Sequence, residues 1–231
     1  MIAVSPPRRR RRSPLALAAI AVATIALALV VAAAVVTVVG MGSVPSAALQ
    51  GLLLTPQEAA EAHGVQSLHE VVSDDLSLDS KEPDSECLGL LNDRSERAYR
   101  GSGWKALRHQ SLADQTPQVT LSQSVIAMRD AHVAAPFVDE QKAMWEACSA
   151  QVLHRKNKDG LVADYVVTMV ERSDGILAAS YHRDGGEGWT CVRGMAWRRN
   201  IVIDVTTCGP GATPQLLPGI IVPISARIEA A

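Results

Sequence analysis

Four cysteines are the residues of this 231-residue chain best suited to chemistry by type: Cys87, Cys148, Cys191 and Cys208. Thiolates hold zinc when at least two lie close together, as in C-x₂-C. The nearest pair here, Cys191 and Cys208, is 17 positions apart. An even set with no close pair, all beyond a long apolar segment, instead points to disulfides in an oxidising compartment. Spacing alone leaves three connectivities open.

Other reactive types are scattered. His63, His69, His109, His132, His154 and His182 contain no H-E-x-x-H or comparable pair, so no metal site is expected. Gly101-Ser102-Gly103 lacks the G-x-S-x-G pattern of a nucleophile elbow and reads as a tight turn before Trp104. No catalytic residues and no cofactor are expected. Trp104, Trp189 and Trp197 are candidate ligand contacts, because binding clefts are mostly apolar with a few polar groups. Trp189, Arg193 and Trp197 lie at even spacing on one strand and share its face. An arginine there needs solvent, a carboxylate or a ligand. Arg193 is therefore the candidate polar residue of a cleft, with Asp204 as a possible partner across a hairpin.

These residues must be positioned by a mixed set of elements. Thr55-Pro56-Gln57-Glu58 has the residues of a capping box with proline at the first helical position, and Gly64 ends that helix after His63. Ser73 to Ser85 reads as an acidic loop. Strands are expected over Trp104–Leu112 and Val119–Met128, joined near 115–117. Asp130–Cys148 has helical spacing with Val133, Phe137, Met144 and Cys148 on one face, and Pro136 marks a start or a kink. Strands follow at Leu161–Glu171, Ile176–Arg183, Trp189–Arg198 and Ile201–Thr207. On the last, Ile201, Ile203 and Val205 share a face and Asp204 points the other way. Thr213–Ile228 occupies the place of a final helix, although Pro218, Gly219 and Pro223 argue against a regular one. The order predicts an α+β domain, an antiparallel sheet with helices packed on it.

Ahead of this domain, Arg8–Arg12 precede 25 uncharged residues, Leu15–Val39. At about 1.5 Å per residue such a helix spans a hydrocarbon core of ~30 Å. The arginines should remain cytoplasmic, placing the rest outside. A signal peptide cleaved near Ser46-Ala47-Ala48 is the competing reading; its apolar core would be unusually long. The expected organisation is a cytoplasmic tail (1–14), a transmembrane helix (15–39), a linker (40–51) and an extracytoplasmic domain (52–231). Five of the 22 basic residues sit in the tail, leaving 17 against all 24 acidic ones outside, a formal charge of −7. That balance argues against nucleic acid or anionic lipid held by bulk electrostatics.

The ordered set Leu52-Leu53-Leu54-Thr55-Pro56-Gln57-Glu58, Cys87-Leu88-Gly89, Tyr99-Arg100-Gly101-Ser102-Gly103-Trp104, Trp145-Glu146-Ala147-Cys148, Trp189-Thr190-Cys191-Val192-Arg193 and Asn200-Ile201-Val202-Ile203-Asp204-Val205, with Cys208, resembles the PknH-like extracellular sensor domain of mycobacteria and their relatives. The resemblance spans about Leu52 to Ile228. It implies an antiparallel sheet with helices, a cleft for an unidentified ligand, and disulfides Cys87–Cys148 and Cys191–Cys208. Some members carry a cytoplasmic kinase and others a lipid anchor; neither is expected with about 14 residues before the apolar segment and no cysteine just after it. The expected function is a single-pass membrane protein displaying a sensor-like domain to an envelope ligand or membrane partner. A structural or protein-docking component of the envelope is the alternative, and a hydrolase the third reading.

Overall fold

A computed structural model describes residues 46–76, 86–114, 118–156, 161–186 and 188–231, all within one compact unit. Leu15–Val39 and the turn near 115–117 lie outside the described residues, as does most of the acidic stretch before Cys87. Among the described residues no helix is long and apolar enough to cross a membrane.

Among the described residues eight strands form one sheet: β1 (His69–Ser73), β2 (Trp104–Ala113), β3 (Thr120–Met128), β4 (Val152–Lys156), β5 (Val162–Ser173), β6 (Ile176–Arg183), β7 (Trp189–Arg198) and β8 (Ile201–Pro210). Their order is β1-β2-β3-β8-β7-β6-β5-β4, and every neighbouring pair is antiparallel. The chain builds inward from one edge through β1–β3 and crosses to the far edge by a helix. It then returns by hairpins until β8 closes against β3. Turn chemistry sets those hairpins. Asp174 and Gly175 both have positive φ, 51° and 78°, between β5 and β6. Arg199, at φ 52°, turns β7 into β8.

The helices are α1 (Pro56–His63), α2 (Glu96–Tyr99), α3 (Ala131–Ala147) and α4 (Leu217–Ala230). At α1 the capping box forms: Glu58 N donates to Thr55 Oγ1 at 3.2 Å and Thr55 N to Glu58 Oε2 at 2.8 Å. Gly64, at φ 67°, ends the helix. Asp130 caps α3, accepting from Val133 N at 3.1 Å. Pro136 lies inside α3 on its exposed side, where the carbonyl it leaves free is open to water.

Each sheet face has its own core. On one, α1, α4 and the 3₁₀ helix Ser46–Leu52 cover Val125, Val192, Ile203 and Val205. The segment expected as a linker is thus partly built into the domain, with Leu49 buried. Gln123 fixes the chain there, accepting from Leu54 N at 3.0 Å and donating to Leu54 O at 2.9 Å. The helix doubted for its prolines is regular over 14 residues. Pro218 falls in the first turn, where no N–H is needed. Leu217, Ile220, Ile221, Ile224 and Ile228 are buried, each worth about 1.5–3 kcal/mol, which outweighs about 3 kcal/mol for Pro223. The helix sits so close to β7 that a Cβ on Gly194 would lie 2.7 Å from Leu217 Cδ2.

On the other face α3 packs Ala134, Phe137, Val138 and Trp145 against Leu107, Ile126, Leu177 and Met195. Phe137 and Cys148 are buried as the spacing predicts, while Val133 and Met144 are only partly so. Strands β1 and β4 were not expected; both are five-residue edges, mostly exposed.

Candidate functional site

Period-two alternation aims one row of side chains from each strand at the α3 face, and α3 covers only part of that face. Beyond its end lies a cleft of about 670 Å³. The sheet supplies its base: Ser111, Thr120, Ser122, Thr206 and the Cys191–Cys208 disulfide. Cys191 and Cys208 lie directly opposite on β7 and β8, with Cα atoms 4.0 Å apart. Trp189, Tyr181, Tyr165, Arg183 and Arg155 line the β4–β7 side, and Leu91, Asn92, Asp93 and Arg94 the other. The segment 91–94 follows the 3₁₀ helix Glu86–Leu91, and Cys87 in that helix is bonded to Cys148 at the end of α3. One disulfide thus staples a wall of the cleft and the other forms part of its base.

Behind the cleft, Arg193 and Asp204 form a fully buried ion pair. Arg193 Nε donates to Asp204 Oδ1 at 2.9 Å and Nη2 to Oδ2 at 2.6 Å. Tyr99 Oη donates to the same Oδ2 at 2.7 Å, and Arg193 Nη1 to Gly89 O at 2.5 Å. The Trp145 ring centroid lies 4.9 Å from the guanidinium carbon. Burial pushes the Asp204 carboxyl up, to about 6, against the pull of Arg193 and Tyr99. Burial also works against the Arg193 charge, but Asp204 more than reverses it and raises the guanidinium pKa. Burial prevails at Asp204 and the partner charge at Arg193. At neutral pH the two remain ionised, since all three donors address a carboxylate. The pair ties β7, β8, α2, α3 and the 3₁₀ helix together.

Nearer the opening, Asp93 is buried and accepts from Ser122 Oγ at 2.7 Å and Ser124 Oγ at 2.8 Å. His109 Nδ1 lies 2.9 Å from Ser124 Oγ and 3.3 Å from Asp93 Oδ2, and Nε2 lies 2.8 Å from Ser111 Oγ. Burial alone would raise the Asp93 carboxyl; His109 and the two hydroxyls hold it below its ordinary range instead. Because Ser124 spends its proton on Asp93, it can only accept from His109. Nδ1 therefore carries the ring proton, and in the neutral ring Nε2 presents a lone pair to Ser111.

Of the expected ligand contacts, Trp189 lines the cleft. Arg193 is fully buried behind it on Asp204, and Trp104 and Trp197 pack partly buried against the α3 core, outside the lining. Sequence reasoning passed over Asp93, Arg94, His109, Ser111, Ser122, Arg155, Tyr165, Tyr181 and Arg183. The available signal was His109-x-Ser111 opposite Ser122-x-Ser124, polar residues at alternate positions on two pairing strands. The Gly101-Ser102-Gly103 segment is a turn, both glycines having positive φ and Ser102 Oγ donating to Tyr99 O at 2.8 Å. Among the described residues no cluster of three His, Cys, Asp or Glu could hold a metal.

This geometry defines a disulfide-stapled α+β domain with an open polar–aromatic cleft, and it has known counterparts. The family model for the PknH-like extracellular domain matches residues 44–227, and the chain belongs to that family. The serine/threonine-protein kinase PknH of Mycobacterium bovis and of Mycobacterium tuberculosis is 28% identical over 180 residues. The match takes in 74% of this chain but only 29% and 28% of those kinases, so the chain covers less than a third of their length. The crystal structure of the extracellular domain of PknH from Mycobacterium tuberculosis superposes with a TM-score of 0.74 at 23% identity. That likeness covers 83% of this chain and all of the other, and shows the fold.

Proposed function

We propose that this chain is a single-pass membrane protein, anchored by Leu15–Val39, that holds its PknH-like domain outside the membrane and binds a ligand in the cleft without a catalytic output of its own. The cleft carries this reading. At about 670 Å³ it has the size of small-molecule sites, and it combines aromatic walls with convergent polar groups. The basic run before the apolar segment and the extracellular position of the relative's domain support the orientation. Occupancy is passed to a partner in or beside the membrane. Thermal-shift measurements against cell-envelope lipids and saccharides test this. Stabilisation by a member of the panel is expected; no shift, together with a stoichiometric co-purifying protein, would favour a docking component of the envelope instead.

A second reading, a hydrolase, has one specific observation behind it. Ser111, His109 and Asp93 are connected in the order of a nucleophile, base and orienting acid, and Ser111 lines the cleft. Against it, Ser111 lies within β2, paired on both sides with Val71 and Ser122. Within β2 the backbone N–H groups serve the ladders, and Ser111 does not sit on the strand-to-helix elbow that would supply oxyanion donors. Incubation with a fluorophosphonate discriminates the two: the binding reading predicts no adduct, whereas stoichiometric labelling of Ser111 establishes the hydrolase.

A further inference from the structure

The described lining of the cleft is cationic, on an acidic domain. The part of the chain beyond the apolar segment carries a formal charge of −7, yet among the described residues the cleft is lined by Arg94, Arg155 and Arg183 against one carboxylate, Asp93. That carboxylate is already occupied by Ser122, Ser124 and His109.

Register shows that this clustering is built by the sheet. Tyr165 on β5 is directly opposite Arg183 on β6, and Arg155 on β4 is opposite Ala163, two positions from Tyr165. Residues opposite one another, or two apart, share a face. Arg155, Tyr165 and Arg183 therefore project from the cleft face of three adjacent strands. Both arginines are exposed, and neither side chain is in a hydrogen bond or ion pair with another described residue. Arg94, on the opposite wall, donates to Ser73 Oγ at 3.3 Å and Asp75 O at 3.0 Å, which leaves its charge uncompensated by those contacts.

Beside the cations stand the Trp189 ring and a Tyr165–Tyr181 pair with centroids 6.2 Å apart, set edge to face. Hydroxyls of Ser111, Thr120 and Thr206 line the base. Guanidinium groups match phosphate with paired N–H donors. Aromatic faces take the apolar face of a ring, and hydroxyl groups satisfy its polar edge.

We infer that the cleft takes a phosphorylated sugar or cyclitol, with the phosphate between Arg155, Arg183 and Arg94 and the ring against Trp189 and Tyr165. This rests on the proposal that the cleft binds a ligand, and names the ligand's chemistry. The same group occurs free or as a lipid headgroup.

The test uses the full chain in neutral-detergent micelles, titrated calorimetrically with glucose 6-phosphate and inositol 1-phosphate, with glucose and inositol as uncharged controls. Phosphatidylinositol in mixed micelles is the lipid-borne probe. A phosphorylated probe should bind at least tenfold more tightly than its uncharged counterpart, and raised salt should weaken it. The exposed-site variant Arg155→Met/Arg183→Met should lose about tenfold or more. Preference for the free phosphates or for the lipid then identifies the source. Uncharged sugars binding as tightly, with no effect of the double variant, would overturn the anion assignment and leave a binding cleft standing. No binding by any probe would overturn it too, and stabilisation by the wider envelope panel would show whether the cleft reading survives.

Discussion

Arg193 and Asp204 face each other diagonally across the β7–β8 hairpin, joined by two N–H···O contacts of 2.9 and 2.6 Å with neither side chain exposed. Removing one partner strands a buried charge, which costs about 3–5 kcal/mol. Arg193→Met and Asp204→Asn should each lower the unfolding free energy by that order in urea titrations. Arg193→Met/Asp204→Leu should be much less damaging than the two single effects added. Additive losses would mean that the pair is not a unit.

The two disulfides should contribute unequally. On the chain-entropy model the 61-residue separation of Cys87 and Cys148 gives about 4 kcal/mol, and the 17-residue separation of Cys191 and Cys208 about 3. Denaturation of the paired Cys→Ser variants measures both. Non-reducing peptide mapping should find only these two pairings, and a Cys87–Cys191 peptide would refute them.

Acid stability should carry the mark of Glu58. The Arg227 hydrogen bond, then the Thr55 N–H, holds its carboxyl at about 2 against an ordinary 4.5, with burial opposing. A depressed carboxylate pKa contributes stability in full above the unfolded value and loses it as pH falls from about 4.5 through about 2. Glu58→Gln should therefore flatten the melting temperature against pH in that window and change its slope little above pH 6. The buried Asp93, also depressed, should keep part of the acid limb in the variant. An unchanged profile would show that the Glu58–Arg227 contact is not linked to folding.

Much of this architecture was legible because local chemistry and global packing agree. Ile176–Arg183 and Trp189–Arg198 lie between strong turn residues and appear with the expected bounds. Strands β1 and β4 have too few buried side chains to leave an alternating pattern; pairing with β2 and β5 defines them. The final helix was obscured by prolines whose cost tertiary burial outweighs. At the site, face-sharing on β7 and β8 disclosed Arg193 with Asp204, because two-residue periodicity is local information. The cleft was not legible. Asp93 meets His109 and Ser122 only through folding, and Arg155, Tyr165 and Arg183 converge through the register of three strands.

Filling the cleft should abolish ligand binding. Thr120 lines its base and is only partly buried, so Thr120→Trp should occupy the space without disturbing either core. Melting temperatures of the wild-type chain and this variant, measured against the same envelope lipids and saccharides, decide the matter. Similar unliganded melting temperatures are expected, with a ligand-dependent rise for the wild type and none for the variant. An equal rise in both would place binding outside the cleft and contradict this expectation.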